Sequence, residues 1–184
     1  NRLSNISDIM LEQYYAPDKP VDKGIILRAA LKNPDGSFGE VVTNSYFVGK
    51  DKAYYTEMQV VSLVTDEDYL FHPDTGFYRV GSGYYEWLNS EDYVHYETGD
   101  PQNPTNYNKD GKESEFPASV QVFDQGEAVY SANVGARLSG NWSRSAAQKS
   151  FRFYARKELG NSKMKYAFFD ELTDAEGEVI EKYD

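Results

Sequence analysis

The apolar positions of this chain fall in short stretches separated by polar turns, a pattern typical of a β-rich protein. Residues 24–31 (GIILRAAL) and 40–48 (EVVTNSYFV) flank the turn sequence Asn33-Pro34-Asp35-Gly36, and this arrangement predicts a β-hairpin. Residues 58–65 (MQVVSLVT) are almost continuously apolar, which is typical of a strand buried on both faces. The polar break between the hairpin and this strand predicts a boundary between two modules.

Three further strands are predicted in the second half of the chain, over 118–123, 129–138 and 150–155. The segments SVQVF and SFRFYAR alternate apolar and polar residues, so one face of each strand should be buried. The opposite face would then carry Gln121, Arg152 and Arg156.

The region between these strand groups holds less regular structure. Thr65 and the acidic residues after it predict one short helix, which Pro73 ends, and residues 77–80 follow as a short strand. Residues 89–115 are polar and lack periodicity, which predicts a long loop. The fold class predicted from the whole pattern is α+β and β-rich, with an antiparallel sheet.

Composition narrows the classes of function. The 184 residues include 40% hydrophobic residues, and no apolar run is long enough to predict a membrane span. Thirty acidic residues against 19 basic ones give a net charge of −11, which disfavours nucleic acid as a partner. With no cysteine and two histidines, we predict no metal site. Because the chain starts at Asn1 without a methionine, we expect it to be part of a longer protein.

Basic residues are concentrated between 131 and 169, where the single acidic residue is Glu158. Such segregation within an acidic protein favours an anion site, although a solvated basic face is the alternative interpretation. The eight basic residues are Arg137, Arg144, Lys149, Arg152, Arg156, Lys157, Lys163 and Lys165.

The same region contains a small polar turn followed by a strand that opens on a lysine. The turn includes Gly140, Asn141, Ser143 and Arg144, and Lys149 follows it. Glycine and serine let backbone N–H groups approach phosphate oxygens, and a nearby cation neutralises the phosphate charge. The pattern therefore indicates a phosphate site, with a hairpin and an exposed turn as the alternative.

These residues also carry a family resemblance. GARLSGNWSRSAAQKSFRFYARKELG resembles the signature of CotH-type (spore-coat protein H) kinase-like proteins, in which a G-x-R-x-x-G-x-x-S-R turn precedes a K-S-[FL] strand. MQVVSLVTDEDYLFHPDTGFYRVG and TNYNKDGKESEFPASVQVFDQ resemble upstream segments of that family, in the same order. The resemblance covers 57–184, and residues 1–50 resemble the C-terminal hairpin of a chitobiase-like β-sandwich module.

The resemblance implies an N-terminal, nucleotide-facing part of an atypical protein kinase from a bacterial extracellular or cell-surface protein. It makes Gly140, Asn141, Ser143 and Arg144 the nucleotide-facing turn and Lys149 the phosphate-binding lysine, with ATP and Mg²⁺ as cofactors and a protein as substrate. The catalytic and magnesium-binding residues of the family lie further along its chain, so it implies no catalytic residue here. Ser139 and Trp142 depart from the family pattern.

Two other interpretations stay open. A non-catalytic module for carbohydrate or a protein partner would use the aromatic segment from Tyr84 to Tyr107, and a purely structural β domain would bind no ligand. Asn106, Asn108 and Asp110 match the first half of a calcium loop, but Pro117 stands at the position of its bidentate glutamate. A plain polar turn is therefore the favoured interpretation of these residues.

Overall fold

The computed structural model describes residues 24–49 and 58–183. Residues 1–23 and 50–57 lie outside this description, and the predicted module boundary falls among them. The described chain is β-rich, with eight strands and two short α-helices. These are β1 (Ile25–Ala29), β2 (Val42–Tyr46), β3 (Val60–Val64), α1 (Glu67–Phe71), α2 (Ser82–Leu88), β4 (Phe116–Asp124), β5 (Glu127–Ser139), β6 (Ser150–Tyr154), β7 (Met164–Lys165) and β8 (Lys182–Tyr183).

The chain divides into two compact units. The described part of the first unit comprises residues 65–116 and 135–153, and that of the second comprises residues 24–49, 58–64, 117–134 and 154–183. The longest strand, β5, begins in the second unit and ends in the first.

The second unit contains the predicted hairpin. Strands β1 and β2 pair antiparallel with Ile25 opposite Tyr46 and Ala29 opposite Val42, and Gly36 N–H closes the predicted turn onto Asn33 O at 3.0 Å. The hairpin prediction is therefore confirmed, with shorter strands than the apolar stretches indicated.

A four-stranded sheet has the order β3-β4-β5-β6. Strand β3 pairs antiparallel with β4, with Val60 opposite Phe123 and Val64 opposite Ser119. A two-residue turn joins β4 to β5; φ is +48° at Gln125 and +79° at Gly126, as a type I′ turn requires. The three strands predicted for the second half of the chain correspond to β4, β5 and β6, so these predictions are confirmed.

The first unit packs around Phe116, which is 1% exposed. Its ring lies 5.5 Å from Tyr69, 5.4 Å from Phe77 and 6.4 Å from Phe151, measured between centroids. Helix α1 occurs where the sequence predicts a helix, and the Asp66 carboxylate caps it by accepting from Asp68 N–H at 3.1 Å. Aromatic burial thus brings α1, the segment after it and β6 into one core.

In the first unit one prediction was wrong and one helix was missed. Residues 77–80 form turns rather than a strand, because Phe77 and Tyr78 donate their N–H groups to Tyr69 O and Leu70 O at the end of α1. Helix α2 was not predicted; it begins after Gly81, whose φ is +89°, and no side chain caps its first turn. The sequence therefore lacked the capping signal that usually marks a helix start.

Two burial predictions in the second unit were also wrong. Strand β3 was expected to be buried on both faces, yet Val61 is 54% exposed, so the face of the sheet that carries Val61 is open to solvent at this position. Gln121 was expected on an open face, yet it is buried. Its side-chain oxygen accepts from Ser45 N–H at 2.6 Å, so β2 covers the position.

Candidate phosphate site and polar clusters

The predicted turn follows β5 directly and tightens into a 3₁₀ turn over Trp142–Ser145. Gly140 has φ +109°, a conformation that side chains other than glycine rarely adopt. A Cβ atom at Gly140 would lie 2.2 Å from Ser143 Oγ, so glycine also provides the space for that hydroxyl. The turn is therefore specific to glycine at this position.

Arg144 fixes the shape of the turn through carbonyl groups. Its Nε donates to Gly140 O at 2.8 Å, and its Nη1 donates to Asn108 O at 3.1 Å. Its backbone N–H bonds Asn141 O at 3.1 Å. One side chain thus joins the two ends of the turn and ties the turn to the segment around Asn108.

Lys149 lies immediately before β6 and is 7% exposed. Its ammonium donates to Arg144 O and lies over two aromatic rings, 4.3 Å from the centroid of Tyr107 and 5.6 Å from that of Tyr78. Aromatic faces attract a cation through their quadrupole, most strongly when the pair is removed from water. A charged amine is therefore held inside the first unit by π faces and one carbonyl.

Burial lowers the pKa of Lys149 from 10.5 to about 8, because the charged form loses hydration. The pKa of Tyr78 is raised by burial, while a hydrogen bond with the backbone of Lys149 acts in the opposite direction. An amine with a lowered pKa gains more from an incoming anion than a hydrated surface lysine does, since its charge is poorly compensated beforehand.

The five residues predicted for the site are connected in the structure. Hydrogen bonds link Gly140, Asn141 and Lys149 to Arg144, and Ser143 Oγ occupies the space beside Gly140. Gly140, Asn141 and Ser143 are exposed, and Arg144 is half-buried. Tyr78, Tyr107 and Asn108 were missed, because 41 to 71 residues separate them from Lys149 and no local pattern marks them.

The basic cluster of the sequence does not form one patch within a single unit. Arg137, Arg144, Lys149 and Arg152 belong to the first unit and the other four basic residues to the second. Arg137 forms an ion pair with Glu115 at 2.9 Å, in which Nε also donates to Glu115 Oε2 at 3.1 Å. Its charge is therefore compensated within the first unit.

The candidate calcium loop serves a structural purpose. Asn106 is buried, and its side-chain amide donates to Asp74 O at 2.9 Å, which fastens the turn after α1. Asn108 donates its amide to Asp100 O and Asn103 O. Within residues 24–49 and 58–183, no group of three or more His, Cys, Asp or Glu side chains could hold a metal ion.

An aromatic cluster surrounds Trp87 in the first unit. The Trp87 ring stacks on Tyr96 with centroids 5.9 Å apart and an interplanar angle of 7°, and it meets Tyr93 edge-on at 4.9 Å. Tyr93 and Tyr85 remain 42% and 47% exposed. The cluster is thus partly packed on itself and partly open to solvent.

A network of hydroxyls and amides lies beneath β2 in the second unit. Ser45 Oγ is 2.7 Å from Ser62 Oγ, and Ser119 Oγ is 3.1 Å from Thr43 Oγ1 and donates to Asn133 Oδ1 at 2.6 Å. A cavity of about 140 Å³ adjoins this network, and Glu40, Asn133 and Asn161 lie among its lining residues. The polar groups of this region satisfy one another.

Across the described part of the chain, no helix combines the length and the apolar character that crossing a bilayer requires. Comparison with protein-family models, with curated proteins and with solved structures gave no match to this chain. The resemblance to CotH-type proteins therefore stays a prediction.

Proposed function

We propose that this chain is the N-terminal, nucleotide-facing part of a CotH-like kinase domain and that Lys149 binds ATP phosphates. The observation that carries the proposal is the state of Lys149, a buried ammonium bonded to the Arg144 carbonyl rather than to a carboxylate. Among the residues that the structure describes, this amine is compensated by π faces and a carbonyl dipole, and phosphate oxygens would add the negative charge that these partners lack. The family resemblance of the surrounding residues supports the same assignment.

The turn from Gly140 to Arg144 would cover the phosphates. Gly140, Asn141 and Ser143 are exposed and offer backbone N–H and hydroxyl groups, while Arg144 keeps the turn closed. Trp142 is 41% exposed in this turn, where it offers a flat surface to an incoming base. These residues bind and orient, and they provide no group that accepts a proton from a substrate hydroxyl.

When bound, Mg²⁺ would neutralise charge on the phosphates during phosphoryl transfer. Within residues 24–49 and 58–183 no cluster of carboxylates could hold this ion. The resemblance implies that the magnesium ligands and the catalytic acid are supplied by residues outside this chain. The proposal therefore gives this chain nucleotide binding toward transfer to a protein substrate, in a bacterial surface or extracellular protein.

The test is Mg-ATP binding by calorimetry to the wild-type chain, to Lys149→Met and to the matched control Lys157→Met, which removes an exposed lysine. We expect Lys149→Met to weaken binding at least about tenfold, since one charge-assisted contact is lost. Lys157→Met should bind as the wild type does. Equal affinity of all three proteins, or no saturable binding by the wild type, would contradict the assignment.

The second candidate function is carbohydrate or protein binding by the aromatic cluster around Trp87. The exposed rings of Tyr85 and Tyr93 favour it, because aromatic faces pack on the apolar faces of sugars. Tyr85→Ala and Tyr93→Ala separate the two functions: they should abolish glycan binding on an array if the cluster binds sugar, and they should leave Mg-ATP binding unchanged.

A further inference from the structure

Strand β2 of the β1–β2 hairpin buries its polar residues and leaves apolar residues exposed, while β1 is exposed along its whole length. Thr43 and Ser45 of β2 are buried, and they bond Ser119, Gln121 and Ser62. Side chains alternate along a strand, so the neighbours of Thr43 and Ser45 point the other way. This orientation is the reverse of that in a hairpin which closes a hydrophobic core.

The outward face is apolar and uncharged. The antiparallel register places Ile25 opposite Tyr46, Leu27 opposite Asn44, and Ala29 opposite Val42 on this face. Asn44 is the polar residue in these pairs; it is half-buried, and its side-chain oxygen accepts from the buried Gln121 at 3.3 Å, so it does not face solvent as its neighbours do. Arg28, the charged residue of β1, lies opposite Thr43 and belongs to the other face.

The exposed apolar area is large for a single hairpin. Six large apolar side chains on or beside the two strands are at least 45% exposed: Ile25 51%, Leu27 59%, Leu31 82%, Val42 58%, Tyr46 45% and Val48 69%. At about 80–100 Å² each, they give roughly 500–600 Å², the size of the largest patches found on monomeric proteins. Two such faces together bury about 1,000–1,200 Å², close to the lower limit of specific protein interfaces.

We infer that this face is a homodimer interface, in which the β1–β2 sheet of one chain packs on the same sheet of a second copy. In an isologous contact the same patch of both copies meets, so the patch must be complementary to itself. An uncharged sheet face meets this requirement because no like charges are brought together. Because the area lies near the lower limit of specific interfaces, we expect a weak, reversible dimer. Because each chain carries a net charge of −11, added salt strengthens the dimer by screening the long-range repulsion.

Sedimentation velocity from about 1 to 200 µM protein, in 0.15 and 0.5 M NaCl, tests the inference. We expect a concentration-dependent rise in mass from 21.0 kDa to twice that value, at lower concentration in the higher salt. A chain that remains monomeric at about 200 µM in both salts overturns the inference.

Two substitutions localise the contact. Leu27→Lys and Val42→Lys should each raise the dimer dissociation constant at least about tenfold, because each places a charge in the apolar contact. Phe169→Lys is the matched control, since Phe169 is 62% exposed elsewhere in the same unit. A dimer that survives both hairpin substitutions overturns the inference.

The lack of cysteine allows a test that does not depend on mutant affinity. Leu27→Cys introduces a single thiol on the face, and a short bis-maleimide should link two copies of this variant. Phe169→Cys should not be linked under the same conditions. Equal linking of the two variants would indicate random collision and contradict a specific interface.

Discussion

The two units bury polar groups in opposite ways. In the first unit Lys149 brings a charge inside, and its ammonium is held by the Tyr107 and Tyr78 rings and one carbonyl. In the second unit the buried groups beneath β2 are neutral hydroxyls and amides that bond one another. The difference teaches that burial alone does not mark a ligand site; incomplete compensation of a buried charge is the more informative signal.

The largest effect should come from Gln121→Leu in the second unit. Ser45 N–H would lose its buried acceptor, and we expect the free energy of unfolding to fall by about 2–3 kcal/mol. Urea denaturation measures this change, with Gln102→Leu at an exposed position as the control. A loss no greater than that of the control would show that the polar network beneath β2 is dispensable.

Lys149→Met in the first unit should stabilise the protein at pH 7, whereas Gln121→Leu destabilises it. Removing a buried, poorly compensated ammonium should raise the free energy of unfolding by about 1–2 kcal/mol. The pKa of Lys149 is about 8 in the folded state and 10.5 as an ordinary lysine, so the unfolded chain binds more protons between these values. Wild-type stability relative to Lys149→Met should therefore rise as the pH increases from 8 to 10.

Urea denaturation of both proteins at pH 7, 8, 9 and 10 measures this dependence. Burial raises the pKa of Tyr78, so above pH 10 the unfolded chain loses this proton first and stability falls as the pH rises. The comparison is therefore confined to pH 7–10. Parallel pH profiles for the two proteins would show that Lys149 is ordinarily hydrated, and the contrast between the units would then fail.

Gly135→Ala gives the smallest effect and tests a paired charge in the first unit. A Cβ atom at Gly135 would lie 2.0 Å from Glu115 Oε1, so the carboxylate must move away from Arg137. We expect a loss of about 0.5–1 kcal/mol in unfolding free energy, since the displaced group is the end of a flexible side chain. In a Glu115→Ala background the same substitution should cost less, and equal costs in both backgrounds would exclude this contact as the cause.

The sequence could predict what depends on neighbours along the chain. The hairpin, β4, β5, β6 and the turn that precedes Lys149 all follow from local alternation and turn residues. The prediction failed where distant contacts decide the outcome. Gln121 is buried because Ser45 lies 76 residues away and covers it, and residues 77–80 are not a strand because their N–H groups bond the end of α1.

The candidate site shows the same limit. Gly140, Arg144 and Lys149 fall within ten consecutive residues, so the local pattern alone places them near one another. The rings of Tyr78 and Tyr107 lower the hydration of Lys149, but they reach it through the packing of the first unit. Local pattern therefore identified the lysine, and only tertiary structure identified its environment.

The type I′ turn at Gln125-Gly126 has a consequence for the order in which the sheet folds. It joins β4 and β5 across two residues, so their pairing closes a very short loop and forms within microseconds. Strand β3 pairs with β4 across about fifty intervening residues, which makes its docking slower and entropically more demanding. We therefore expect the β4–β5 ribbon to be the folding nucleus, and substitutions at this turn to change the refolding rate more than the unfolding rate.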